Sequence, residues 1–196
     1  MDNFSNFSKT RRLTTLGLLT AIVVIFQLLG TFIRFGMFSV SLVLIPIVIG
    51  AAFCGPFAGA WLGFVFGLTV LLSGDATAFL QVHSLGTILT VLLKGALAGL
   101  CAGLVYRLVA RVQQDVAVLV AAVVCPLVNT GVFLLGCRLF FYDTVKDWAV
   151  TAGFGENVGG YMILGLVGAN FLFELLFNVV LSPVVLRLLS LEKHAE

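Results

Sequence analysis

Apolar runs of near-bilayer length recur along this 196-residue chain, at about 13–33, 39–53, 57–72, 84–106, 116–137 and 159–190. Inside hydrocarbon each backbone N–H and C=O needs an internal partner, which leaves only α-helices and closed β-barrels as spanning structures. Barrel strands would alternate in polarity over ~10 residues, and these runs do not. Hydrophobic residues make up 61% of the chain and charged residues 10%, with a mean hydropathy of +1.17. Soluble domains have about 45–50% and 25%. The expected fold is therefore an all-α integral membrane protein, a single compact bundle of six transmembrane helices.

The expected organisation is an amino-terminal tail over 1–12, the bundle over 13–190 and a short tail over 191–196. Lys9, Arg11 and Arg12 before the first run superficially suggest a signal peptide. The run continues to Ile33 with no small-residue cleavage site behind a short core, so it is taken as a retained first span. With six spans and the amino terminus inside, Lys9, Arg11, Arg12, Arg107, Arg111, Arg187 and Lys193 fall on the inner side. Only Arg34, Arg138 and Lys146 fall outside, so the basic bias puts both termini in the cytoplasm.

Local features refine this outline. Pro46 is expected to kink the second span or free a carbonyl, and Cys54, Gly55 and Pro56 to form a tight turn. Gly55, Gly59, Gly63 and Gly67 make one ladder at spacing four, and Gly95, Gly99 and Gly103 make another; such bare faces let helices approach closely. Residues 34–38, 73–83, 107–115 and 138–159 are read as loops, with Tyr142 and Trp148 as interface anchors. Cys54, Cys101, Cys125 and Cys137 lack ligand spacing and are read as packing residues.

The last run carries Asn170, Glu174 and Asn178 at every fourth residue, so they share one helical face. An ionisable group in a span normally faces a bundle interior or a water-filled cavity. Counted from the outer ends at 1.5 Å per residue, Lys94 and Asn170 lie roughly 15 Å deep, Glu174 roughly 20 Å, and Asn129 and Gln27 somewhat shallower. Donors, acceptors and one charge pair thus gather near a common level, with Asn178 deeper and outside it. Each has a plainer role: Lys94 and Glu174 neutralising each other, Asn129 serving the carbonyl freed by Pro126, Gln27 joining helices. As a layer they describe an outward-open pocket for a small organic molecule, roofed by loops bearing Arg34, Phe35, Met37, Phe38, Asp75 and His83.

Other classes find little support. The net charge of +2 gives no reason to expect nucleic acid. His83 and His194 are isolated, so no metal or other cofactor is expected. Signatures such as HExxH, GxSxG and the P-loop are missing and the aspartates fall outside the spans, so intramembrane proteolysis and ATP hydrolysis by this chain are not expected.

The runs from Ser39 through Pro46 and Gly55 to Gly67, from Lys94 to Arg107, and from Asn170 to Pro183 resemble the substrate-binding S components of energy-coupling factor (ECF) transporters. The similarity covers almost the whole chain. It implies a membrane subunit, not an enzyme, that captures a water-soluble vitamin from outside. The subunit would dock on a module of one transmembrane coupling protein and two ATPases in a bacterial cytoplasmic membrane. Relatives of this branch bind riboflavin or pantothenate, and these two lead the expectation. The resemblance also implies that the first loop, with Arg34, Phe35, Met37 and Phe38, gates the pocket. Lys94, Asn129, Asn170, Glu174 and Gln27 would line it, and Gly17 and Ala21 would meet the coupling protein; the family's usual first residue there is Ala, so Gly17 departs mildly. The competing classes are a structural or assembly subunit of a membrane complex and a self-sufficient facilitator.

Overall fold

The computed structural model describes residues 9–30, 34–35, 38–39 and 42–194. Helix α1 spans Lys9–Gly30, and strands β1 (Arg34–Phe35) and β2 (Phe38–Ser39) pair antiparallel, Arg34 opposite Ser39. There follow α2 (Leu44–Cys54), α3 (Pro56–Leu72), α4 (Thr77–Val82), α5 (Ser84–Val109), α6 (Gln114–Phe140) and α7 (Tyr142–Thr151). The chain closes with α8 (Val158–Gly160), a π-helical segment (Tyr161–Leu166) and α9 (Gly168–His194). Among the described residues α1, α5, α6 and α9 are long and apolar enough to cross a membrane. Helices α2 and α3 are apolar but shorter, at 11 and 17 residues. The chain is a multi-pass, all-α membrane protein.

Several boundaries move from their expected places. Helix α1 begins at Lys9, so Arg11 and Arg12 are helical, and the Arg12 guanidinium donates to the Cys54 carbonyl at the end of α2. Helix α2 begins at Leu44 rather than near residue 39. Pro46 therefore lies in its first turn, where a missing N–H has no intrahelical acceptor to lose, and it produces no break. The Leu42 carbonyl, which a residue-46 N–H would have sought, accepts from Ile45 N at 3.4 Å. Residues 73–83 and 138–159, expected as loops, contain α4 and α7. The last apolar run is divided by the π-helical segment; a Cβ on Gly168 would sit 2.8 Å from the Ile163 carbonyl oxygen. Further on, Pro183 removes a helical donor, and Ser182 Oγ supplies the Val179 carbonyl at 2.8 Å instead.

The two glycine ladders meet each other. Gly55, at φ 94° and ψ 175°, turns the chain sharply from α2 into α3, whose first residue is Pro56. Helix α3 then packs along α5 with Gly59 against Gly99, Gly63 against Gly95, and Gly67 against the Val91 carbonyl. Added Cβ atoms would collide with backbone at each point, so the bare faces are what allow this interface. Around it lies an aliphatic core drawn from α1, α2, α3, α5, α6 and α9, including Val23, Leu44, Ile47, Leu62 and Val118. A second cluster gathers Phe79, Phe133, Phe141, Val145, Ala149 and Tyr161 beneath α7. The cavity described next has walls drawn from both.

Candidate functional site

A cavity of about 570 Å³ of empty space, counted to where it opens at the surface, lies among α1, α3, α4, α5, α6 and α9. Helix α5 supplies Thr87, Thr90, Val91 and Lys94, spaced as one helical face. Helix α3 supplies Phe66 and Val70 one turn apart, α9 supplies Asn170 and Glu174 one turn apart, and α1 supplies Gln27. Asp75 and Phe79 enter from the segment between α3 and α5, and Phe133 and Phe141 from α6 and its end. Of the five side chains expected to bind substrate, four line this cavity.

Lys94 and Glu174 occupy its walls without neutralising each other in contact. No ion pair within 4.0 Å joins them among the described residues. The Lys94 ammonium instead lies 5.3 Å from the Phe133 ring centre and 5.5 Å from that of Phe66, within cation–π range of both. Glu174 is 2% exposed, and its carboxylate accepts from Asn170 Nδ2 at 3.0 Å and from Asn129 Nδ2 at 3.5 Å. Asn170 stands one turn before it on α9, whereas Asn129 reaches across from α6.

Asn129 therefore does not serve the carbonyl freed by Pro126, as expected: its donor goes to the carboxylate. It is also the one expected binding residue that does not line the cavity. Asn178 donates to the Glu174 backbone carbonyl at 2.8 Å and likewise stays out of the lining, as its depth suggested. On the opposite side Gln27 Nε2 donates to Asp75 Oδ2 at 2.7 Å, tying α1 to the segment before α4.

On one wall of the cavity an aromatic cluster converges on Phe79. Its ring meets Phe133 at 5.5 Å, Phe141 at 5.0 Å and Trp148 at 5.4 Å between centroids, all edge-to-face. Trp148 thus packs on a ring that lines the cavity. Helix α7 reaches this position by burying Val145 and Ala149, which continue from Phe141 at spacing four. That spacing was the available sign of a helix where a loop was expected. His83 accepts from Gly86 N at 2.9 Å and caps α5.

Of the expected gating residues, Met37 lies outside the described residues, and Arg34, Phe35 and Phe38 are described by their paired strands alone. Ala21 and Gly17 lie on the exposed face of α1, and a Cβ on Gly17 would have no atom within 4 Å. Phe66, Phe79, Thr87, Thr90, Phe133 and Phe141 are lining residues that polarity alone did not single out. The i, i+3, i+4, i+7 pattern of Thr87, Thr90, Val91 and Lys94 is the signal that would have found the α5 wall.

Comparison with known proteins adds one result. The family model described as ECF transporter, substrate-specific component, matches residues 11–186. No curated protein and no solved structure matches the chain.

Proposed function

The chain belongs to the family of ECF transporter substrate-specific components, and from that premise we propose that it captures a water-soluble vitamin outside a bacterial cytoplasmic membrane. It then delivers the vitamin through a coupling protein and two ATPases, with riboflavin and pantothenate as leading candidates. In this reading α2 and α3 complete six spans, both termini are cytoplasmic, and the pocket faces outward.

The observation that carries this reading is the cavity itself. Lys94 and Glu174 are placed in membrane helices, where charge is costly, and share one cavity without contact; that arrangement suits a polar solute between them. A structural subunit would have no use for the empty space. Gln27, Asn170, Lys94 and Glu174 touch the solute, Asn129 positions Glu174, and the segment holding Arg34, Phe35, Met37 and Phe38 closes the entrance. Gly17 and Ala21 meet the coupling protein.

The test is to purify the chain from its own membranes and identify the co-purified compound by mass spectrometry, then titrate riboflavin and pantothenate. A saturable, stoichiometric vitamin supports the proposal. A protein that holds no vitamin and responds to none across a full panel removes it.

A further inference from the structure

The amides that hold Glu174 use only one side of themselves. Asn170 and Asn129 turn Nδ2 toward the carboxylate, the only orientation in which an amide does not set its oxygen against it. Asn170 Oδ1 is thereby left buried with no hydrogen-bond partner among the described residues. Thr90 Oγ1, on the α5 wall and 4% exposed, is unpartnered as well. A buried polar atom left this way is destabilising. Asn170 Oδ1 can only accept, so it marks where a donor from outside the chain belongs, while the Thr90 hydroxyl can accept from or donate to the same ligand.

Lys94 offers the opposite character. An ammonium only donates, and ring faces hold its charge without accepting its N–H groups in ordinary hydrogen bonds. Between these polar groups stand the phenyl rings of Phe66, Phe79, Phe133 and Phe141. A purely anionic ligand would satisfy Lys94 and leave Asn170 Oδ1 bare. A purely cationic one would do the reverse and repel Lys94.

Resting on the substrate-binding reading above, we infer that the ligand is a flat, bifunctional molecule. A carbonyl or carboxylate oxygen meets Lys94, an N–H or O–H elsewhere on the same ring system meets Asn170 Oδ1, and the Thr90 hydroxyl takes a further hydrogen bond from or to the ligand. The rings of the cavity pack against its faces.

The experiment uses the full chain in lipid nanodiscs and three aromatic probes that differ in span: benzamide, 3-aminobenzoate and 4-aminobenzoate. Each is titrated by ligand-observed NMR beside its N,N-dimethyl counterpart, which keeps the acceptor and loses the donor. At least one pair should differ by about tenfold in Kd in favour of the donor-bearing member, the scale of one well-made hydrogen bond. Asn170→Ala should erase that ratio, while Lys94→Met should weaken both members alike. Equal Kd values within every pair would overturn the inference and leave substrate binding standing. Absence of saturable binding by all six probes overturns it too, and the co-purified compound then judges the substrate-binding reading separately. The wild-type ratios decide the matter even where a variant misfolds.

Discussion

Gly63 of α3 and Gly95 of α5 face each other so closely that a Cβ on either would run into the other's carbonyl oxygen. The contact is backbone on backbone, which cannot yield as a flexible side chain can. Gly63→Ala or Gly95→Ala should therefore force the helices apart, with a loss of about 1–3 kcal/mol or more. Gly131→Ala is the control, because nothing lies within 4 Å of a Cβ there. Its helix should gain about 0.5–1 kcal/mol from the lost glycine. Thermal melts of the three variants in one detergent check both signs, and a stable Gly63→Ala would show that the interface is looser than the geometry states.

Lys94 should matter more to binding than to folding. Its ammonium is held by the ring faces of Phe66 and Phe133 and by no contact ion pair among the described residues, so an apolar side chain there breaks no salt bridge and removes a desolvated charge. Lys94→Met is expected to melt at or above the parent temperature without ligand, yet to bind the co-purified compound at least tenfold more weakly. A parallel fall in both quantities would instead mark a structural lysine.

How far such a site can be read from sequence depends on which residues build it. Lys94, Glu174, Asn170 and Gln27 were legible because polarity within an apolar helix is conspicuous and depth can be counted along a rod. Phe79, Phe133 and Phe141 were not, since a phenylalanine in an apolar helix looks the same whether it meets lipid, core or cavity. The glycine ladders announced a close approach, although only the fold pairs α3 with α5. Helix α7 escaped because its polar face, with Asp143, Lys146 and Asp147, reads as a solvated loop. The break before α9 escaped because a π turn leaves no periodicity long enough to detect.

Asn129 acts on the cavity from behind. Removing its side chain takes one of the two amide donors from the Glu174 carboxylate. Asn129→Ala should lower stability by about 1–2 kcal/mol and weaken ligand binding a few-fold through a less well-placed Glu174. Asn129→Asp, which sets a second carboxylate beside the first, should be worse on both counts. Melts and titrations of the two variants separate this positioning role from simple packing, which would treat the near-isosteric Asp as the milder change.

Phe79 is the centre of the aromatic wall, with Phe133, Phe141 and Trp148 edge-to-face around it. Phe79→Ala should cost about 3–5 kcal/mol, as for other buried phenylalanines. Ligand release should also quicken, because α4 and α7 would lose the ring they share. Stopped-flow exchange at a temperature where the variant remains folded measures this directly. Phe79→Leu should recover much of the stability, and an unchanged off-rate in both variants would place the exit path elsewhere.

Gly17 and Ala21 differ from the glycines of α3 and α5 in having open space before them. A Cβ there meets no atom within 4 Å among the described residues, so Gly17→Leu should leave the ligand affinity unchanged and raise the melting temperature slightly, through about 1 kcal/mol of helix propensity. If this face docks on the coupling protein, the same leucine would hold the two helices apart at a small-xxx-small contact. Co-purification of the variant with the coupling protein and its ATPases, alongside vitamin uptake by cells, tests this. The expected result is normal binding with lost assembly and lost uptake. Gly17→Leu that assembles and transports normally would move the docking surface to another face of the bundle.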